Sequence, residues 1–161
     1  MTSVAVARSR SSAADASRAL VPAVHGVMKG FLRRVHPTLE AEGISLGQFW
    51  ALHVVSSLGA TSLSSIARHL SVRSPTVCAQ TDPLVDAGLL VRRRSERDRR
   101  TIELRLTPRG RRIEARVWAE IGCLMDAAVA GIPPEELASA VRIFRQLEER
   151  LDGGGAAEGG A

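Results

Sequence analysis

The most concentrated chemistry in this 161-residue chain is a run of guanidinium groups between Arg92 and Arg100. Each guanidinium presents several N–H donors in a rigid fork that matches the geometry of phosphate oxygens. From Arg92 to Arg116, eleven arginines stand against four acidic residues, a local balance of +7, and the net charge of +5 leaves −2 for the remainder. The positive charge is therefore concentrated in one stretch, a distribution typical of a surface that binds nucleic acid.

Two helix-sized patterns precede this basic run. The first has Ser62 or Ser64 as N-cap and apolar residues at helical spacing, namely Leu63, Ile66, Ala67 and Leu70. The second is predicted to begin at Pro75 with Ser74 as its N-cap and to end at Gly88. Its exposed start would enter a major groove and would carry the candidate phosphate and base contacts Arg73, Ser74, Thr76 and Gln80. Among these, Gln80 has the donor and acceptor pair that suits an adenine edge.

A period of two then replaces the helical period. Leu89-Leu90-Val91 is a short apolar run, and residues 101–107 alternate polar and apolar side chains, so both segments are predicted to be strands. The basic run between them becomes the tip of a hairpin that points at phosphates. Two helices joined by a short break and followed by a basic hairpin predict a winged helix-turn-helix.

Three short motifs mark this hairpin and its exit: Gly88-Leu89-Leu90, Asp98-Arg99-Arg100, and the Leu-x-Leu-Thr-x-x-Gly element from Leu104 to Gly110. In this order they resemble the wing signature of the MarR family of bacterial transcription regulators. The resemblance implies a homodimer that binds a near-palindromic operator in double-stranded DNA, usually as a repressor released by a small-molecule effector. It also implies that Arg100 enters a minor groove and that Asp98 organises the wing, with Arg94, Arg97 and Arg99 at phosphates.

The second helix departs from the family pattern at two places. Cys78-Ala79 stands where relatives commonly have Thr-Arg, which removes a side chain that often touches DNA. Pro83 falls inside the helix, where the missing N–H and the ring clash cost about 3 kcal/mol unless the helix bends. These departures bear on base specificity and leave phosphate binding by the wing unaffected.

The length suits one domain with its own core. An apolar fraction of 45% with 3% aromatic residues fits a mainly α (α+β) fold packed with Leu, Val, Ile and Ala. We expect a flexible arm over 1–16, a single domain over 17–151 and a flexible tail over 152–161. Within the domain, the winged helix-turn-helix would occupy 44–107, and the helices over 17–42 and 108–151 would form the dimer interface that the resemblance implies. Pro37 is expected to kink or end the first helix.

The resemblance also implies an effector cavity, whose candidate wall residues follow from helix position alone: His25, Met28, Trp50 and His53. Plain core packing is the alternative for each of them. Cys78 offers a redox alternative, because a thiol near a helix start in a basic neighbourhood favours the thiolate and its oxidation close to DNA. Cys123 is expected in the core. A third alternative is a winged-helix protein-interaction module that lacks operator specificity.

No catalytic constellation is visible in the sequence. Its four histidines are scattered without metal-ligand spacing, and no glycine loop stands between a strand and a helix to hold phosphate. We therefore expect no enzyme, no metal and no cofactor. No apolar run reaches the roughly 18 residues of a spanning helix, and the first residues lack the apolar core of a secretory signal. A cytoplasmic protein without membrane association and with two free thiols is expected.

Overall fold

The computed structural model describes residues 2–95 and 100–154, with side chains over 15–95 and 100–151. The chain divides into two compact units, Met1–Ile121 and Gly122–Ala161. The described residues are mostly helical, with one small antiparallel sheet, so the predicted fold class is confirmed. The elements are α1 (Thr2–Glu42), α2 (Leu46–Leu58), β1 (Thr61–Ser62), α3 (Leu63–His69), α4 (Ser74–Asp86), β2 (Leu90–Arg94), β3 (Ile102–Leu106), α5 (Pro108–Val129) and α6 (Pro134–Gly154).

The first helix, α1, is longer than its sequence pattern predicts. Its backbone is helical from Thr2, where a flexible arm is expected up to residue 16, and it continues through Pro22 and Pro37. Each proline removes one intrahelical hydrogen bond. Around Pro37 the helix is held by burial instead, because Val35 and Leu39 on either side of it are both buried in the core.

Side-chain caps fix where α2 and α3 begin. Ser45 Oγ accepts a hydrogen bond from the Gln48 amide at 3.2 Å, and Gln48 Oε1 accepts one from the Ser45 amide at 2.7 Å. This reciprocal pair satisfies two amide donors that a helix N-terminus otherwise leaves unpaired. Ser62 plays the same role for α3 by accepting from the Ser65 amide at 3.2 Å. The start of α3 agrees with the sequence prediction, which offered Ser62 or Ser64 as its N-cap.

The helix α4 begins slightly differently from the prediction. Its N-cap is Arg73 rather than Ser74, and no side chain caps it. The Arg73 carbonyl accepts from the Thr76 amide at 3.0 Å, so the first turn closes through the backbone alone. Pro83 lies inside the helix, which nevertheless runs unbroken to Asp86.

The three-stranded sheet has the order β1-β3-β2 and is antiparallel throughout. Two residues are too few to show a period of two, so β1 could not be predicted from its residues. The strand β2 extends beyond the predicted Val91 to Arg94, because its arginines pair with β3 in a regular ladder that ends with Arg94 opposite Ile102. The sheet closes a core with α2, α3 and α4 whose fully buried side chains include Phe49, Leu52, Ile66, Val77, Leu84, Leu90 and Leu104.

A close-packed joint connects the end of α4 to the start of α5. Gly88 ends α4 in the left-handed region, with a φ of 68°. Thr107 Oγ1 donates to the Gly88 carbonyl at 2.8 Å and accepts from the Gly110 amide at 3.0 Å. A Cβ at Gly110 would lie only 2.1 Å from the Leu89 carbonyl oxygen. The Thr-x-x-Gly part of the wing motif therefore allows the start of α5 to pack closely against the backbone of Gly88 and Leu89, just after α4. We call it the Thr107–Gly110 joint.

Two helices carry apolar faces that are exposed in the single chain. On α1 they comprise Leu20, Val21, Val24, Val27, Met28 and Leu32, and on α6 they comprise Val141, Ile143, Phe144 and Leu151. Contiguous apolar surface of this kind marks an interaction site. The helix α6 runs to Gly154, past the start of the tail predicted from residue 152, and residues 155–161 of that tail lie outside the described residues.

Cys123, expected in the core, is exposed. It follows the buried Ile121 by two positions, which turns it about 200° around α5, away from the buried row.

None of the helices in the described part of the chain combines the length and the apolarity that a membrane crossing needs.

The Thr107–Gly110 joint predicts that Gly110→Ala lowers the free energy of unfolding by about 1–3 kcal/mol, because the new methyl group would overlap a backbone oxygen. Gly122 on the same helix is the matched control, since a Cβ there would meet no atom within 4 Å. Gly122→Ala should leave stability unchanged or raise it by about 0.5–1 kcal/mol. Urea titration followed by circular dichroism measures the free energy of unfolding of both variants. Equal stability of the two would contradict the close packing of Gly110 against the Leu89 carbonyl oxygen.

Candidate nucleic-acid interface

The helix α4 has one buried stripe and one exposed face. Val77, Thr81 and Leu84 are buried at helical spacing. Thr81 Oγ1 donates to the Val77 carbonyl at 2.9 Å, so the polar atom in this stripe is satisfied within the helix. The exposed residues are Ser74, Pro75, Thr76, Ala79, Asp82, Pro83 and Asp86. The predicted contacts Arg73, Ser74 and Thr76 thus lie together at the exposed start of α4.

The side chain of Gln80, predicted to contact an adenine edge, turns towards α2 instead. A Cβ at Gly47 in α2 would lie 2.6 Å from Gln80 Nε2, so the amide group lies directly against the Gly47 backbone. Gln80 Oε1 is buried and has no hydrogen-bond partner among the described residues. An adenine contact by Gln80 would therefore require a different side-chain rotamer.

The basic surface lies on the hairpin of β2 and β3. Arg92, Arg93 and Arg94 are all exposed along β2, and Arg100 is exposed just before β3. The last hydrogen bond of the hairpin joins the Ser95 amide to the Thr101 carbonyl at 2.9 Å. The predicted contacts Arg97, Asp98 and Arg99 lie outside the described residues. Arg94 and Arg100 are thus the predicted wing contacts that the structure describes, and they flank the hairpin tip.

An ion pair connects the exposed face of α4 to the wing. Arg92 Nη2 on β2 contacts Asp82 Oδ1 on α4, and both side chains remain about half exposed. The two elements that would approach DNA are therefore linked by side chains on the outer surface as well as through the core. Nothing in the sequence pattern indicated this pair, since ten residues and a change of secondary structure separate its members.

A cluster of four rings lies where α2 meets α5. The His53 imidazole stacks on the Trp118 indole with ring centroids 4.2 Å apart, and Trp50 stands edge-on to both rings. Phe49 lies beneath them, 5.3 Å from Trp50 and 6.4 Å from Trp118. Trp118 is 45% exposed, so one part of the cluster is open to solvent. We call this group of four side chains the aromatic cluster.

A buried carboxylate fixes the position of His53 in the aromatic cluster. Glu114 Oε1 on α5 lies 2.8 Å from His53 Nδ1, and Ser56 Oγ donates to Glu114 Oε2 at 3.2 Å. Glu114 is only 8% exposed. Glu114 and Trp118 were not among the predicted site residues. The signal for Glu114 was its position on the same helical face as the apolar residues Ile113, Val117 and Ile121.

The predicted pocket residues fall into two groups. Trp50 and His53 are half-buried neighbours in the aromatic cluster, with ring centroids 5.9 Å apart. His25 and Met28 lie exposed on α1. Cys78, the candidate redox residue, is half-buried on α4.

Removing the carboxylate in Glu114→Ala should lower the free energy of unfolding by about 1–3 kcal/mol, because the half-buried His53 imidazole loses its hydrogen-bond partner. Glu120→Ala provides the control, since Glu120 is exposed on the same helix. That change should stay within about 0.5 kcal/mol. Thermal unfolding measures both, and a Glu114→Ala protein as stable as the Glu120→Ala protein would contradict a structural role for the buried carboxylate.

Known protein sequences are similar to this chain over the elements that form the candidate interface. The sequence model of the MarR family matches residues 44–102, from the residue before the α2 cap to the start of β3. The helix-turn-helix transcriptional repressor MdtR of Bacillus subtilis is 25% identical over 129 residues, which cover 78% of this chain and 83% of MdtR. A helix-turn-helix transcriptional regulator of Staphylococcus aureus is also 25% identical, over 127 residues that cover 78% of this chain and 87% of the relative.

Solved structures share the fold over most of the chain. MarR of Staphylococcus aureus in complex with salicylate and kanamycin has a TM-score of 0.76 at 24% identity, covering 84% of this chain and 91% of that one. A MarR family protein from Bacillus stearothermophilus has a TM-score of 0.73 at 20% identity, covering 86% and 96%. The family match over residues 44–102, the relatives and the shared fold together show that this chain is similar, over its winged helix-turn-helix, to the MarR family of transcriptional regulators.

Proposed function

We propose that this regulator binds a near-palindromic operator in double-stranded DNA as a homodimer and represses transcription until a small molecule releases it. One observation carries the DNA-binding part of the proposal: the exposed face of α4 and the arginine-bearing strand β2 lie side by side and are joined by the Asp82–Arg92 pair. A helix and a basic hairpin in this relation can occupy a major groove and the adjacent backbone together. The repressor role is supported by the relative MdtR, which is a transcriptional repressor.

Phosphate contacts supply most of the affinity in this proposal. Arg94 and Arg100 flank the hairpin tip, and the sequence between them adds the cations Arg97 and Arg99. Arg100 enters the minor groove, and the other wing arginines contact phosphates. Arg73, Ser74 and Thr76 anchor the start of α4, where the positive end of the helix dipole favours a phosphate oxygen.

The exposed apolar faces of α1 and α6 support the homodimer. A recognition helix covers about half of a typical operator, and two copies place their helices about one turn of DNA apart, roughly 10 base pairs. Leaving large apolar side chains such as Val27, Phe144 and Leu151 in water is unfavourable by about 25 cal/mol per Å² of apolar surface. A second copy of this chain would cover them.

The effector part of the proposal places a small molecule near the aromatic cluster. Trp50 and His53 offer ring faces and edges, while His25 and Met28 on α1 would approach the molecule from the dimerisation side. Support comes from the related Staphylococcus aureus MarR, which was solved with salicylate and kanamycin. A ligand shifts the protein away from DNA only if it binds the released spacing of the two recognition helices more tightly than the DNA-bound spacing.

Selection of random DNA by the purified protein tests the proposed function, followed by fluorescence anisotropy titration of the recovered sequence and of scrambled DNA. We expect an enriched near-palindrome that binds far more tightly than scrambled DNA. Between 50 and 200 mM salt, the affinity should fall about a thousandfold or more if several phosphates are neutralised. Equal weak binding to all sequences, or binding insensitive to salt, would contradict operator recognition.

Arg94→Ala should weaken binding to the recovered site and to scrambled DNA by similar factors, because a phosphate contact is independent of sequence. The slope of log affinity against log salt should fall by about 1. Arg112→Ala is the control, since Arg112 is an exposed arginine on α5, outside the wing. If Arg112→Ala reduced the slope as much as Arg94→Ala, the affinity would arise from overall charge and the wing would have no special role.

Phe144→Asp should convert the dimer into monomers, because it places a charge in the middle of the apolar face of α6. The matched control is Gln146→Asp, which adds the same charge about 200° around the same helix. Sedimentation velocity measures the oligomeric state of each variant, and circular dichroism confirms that the helices persist. A dimeric Phe144→Asp protein would exclude this face of α6 from the interface.

A further inference from the structure

The recognition helix α4 carries an unusual charge for an element that approaches DNA. From Ser74 to Asp86 it contains two aspartates and no lysine or arginine, and both aspartates are exposed. The cations of the interface lie instead on the wing and at Arg73 before the helix. The two aspartates on the exposed face of α4 therefore add repulsion at the phosphate backbone, and a favourable role for either of them must involve the base edges.

The side chains on this face leave few groups that could contact a base beyond the first turn. Ala79 and Pro83 have no polar side-chain atom, and Gln80 is turned inward against Gly47. Asp82 and Asp86 remain as hydrogen-bonding groups. The N-terminal part of a recognition helix lies deepest in the groove. Asp82 is one turn closer to that end than Asp86, which is the last residue of α4.

The ion pair with Arg92 makes a carboxylate tolerable at this position. A lone negative charge beside phosphates would be repelled, whereas a carboxylate paired with a guanidinium adds no net charge. Among the described residues, Asp82 accepts a hydrogen bond through Oδ1, from Arg92 Nη2, and none is made by Oδ2. A carboxylate has two oxygens with about four lone-pair positions, so Oδ2 retains acceptor capacity for a second donor.

We propose that Asp82 is a specificity-determining residue that accepts a hydrogen bond from the N4 amino group of cytosine in the major groove, with Arg92 as its compensating cation. Cytosine presents only the N4 donor at this edge, whereas thymine O4 and guanine O6 are acceptors that a carboxylate repels, and adenine places the acceptor N7 beside its N6 donor. The assignment rests on the proposed operator binding and adds the identity of one base-contacting residue. It also explains how a helix without the usual cation on its exposed face retains sequence preference.

The test is selection of random DNA by the wild-type protein and four variants: Asp82→Ala, Asp82→Asn, Arg92→Ala and Asp86→Ala. The wild-type operator should contain a fixed C·G pair in each half-site that Asp82→Ala no longer selects, with discrimination against other pairs reduced on the order of tenfold. Asp82→Asn, which is nearly isosteric, should shift the preference at that pair towards adenine, because an asparagine amide pairs with adenine N6 and N7.

The remaining variants separate direct contact from indirect positioning. Arg92→Ala should weaken binding to every sequence and keep the same preference, while Asp86→Ala should keep both affinity and preference. Circular dichroism and thermal unfolding of each variant confirm that α4 is intact. If Arg92→Ala loses the same base preference as Asp82→Ala, Asp82 acts only by positioning Arg92, and the direct contact is overturned.

Failure of this inference can be told apart from failure of the proposed function. An enriched wild-type operator with an unchanged preference in both Asp82 variants overturns the role of Asp82 and leaves operator binding intact. A wild-type protein that enriches no sequence overturns both. Asp82 variants that bind scrambled DNA as well as the wild type does, yet lose preference at one pair per half-site, support the inference.

Discussion

The close approach of Gly110 to the Leu89 carbonyl oxygen is the constraint on which the arrangement of the interface depends. The end of α4, the exit of β3 and the start of α5 meet at this contact. Thr107 Oγ1 donates to the Gly88 carbonyl on one side and accepts from the Gly110 amide on the other. Only a residue without a side chain fits there. The joint therefore fixes where the wing stands relative to the recognition helix, and it connects both to the helix that carries Glu114 and Trp118.

Charge is divided between the two elements that this joint holds together. The wing carries the cations and suits the sequence-independent attraction to phosphates, whereas α4 carries two aspartates and no basic residue. In the proposed complex, affinity and specificity would consequently depend on different side chains. The Asp82–Arg92 pair lies at the boundary between them, where the carboxylate is neutralised by a wing residue without being removed from the exposed face of the helix.

Local signals account for the parts of the fold that the sequence predicted correctly. Ser62 and Gly88 mark helix ends through their own cap or backbone conformation, so the start of α3 and the end of α4 were placed within about one residue. Tertiary contacts account for the differences. Burial of Val35 and Leu39 carries α1 through Pro37, and pairing with β3 creates β1 and extends β2 to Arg94.

The candidate site shows the same division between local and distant information. The composition of the wing and the start of α4 could be inferred from residue type and order along the chain. The inward turn of Gln80, the exposure of Cys123 and the Glu114–His53 contact could not, because each depends on which residue of another element lies opposite or on the exact face of a helix. The aromatic cluster likewise joins residues from α2 and α5 that are more than sixty positions apart.

Hydroxyl-radical footprinting of the wild-type protein on its selected operator tests the central claim most directly, because it maps every protected sugar on both strands. A homodimer with paired recognition helices and wings predicts two protected half-sites related by a dyad, with centres roughly 10 base pairs apart. Protection should extend into the minor groove at both outer edges, where the wings lie. A single footprint without a dyad, or uniform protection along the fragment, would contradict dimeric operator binding by this chain.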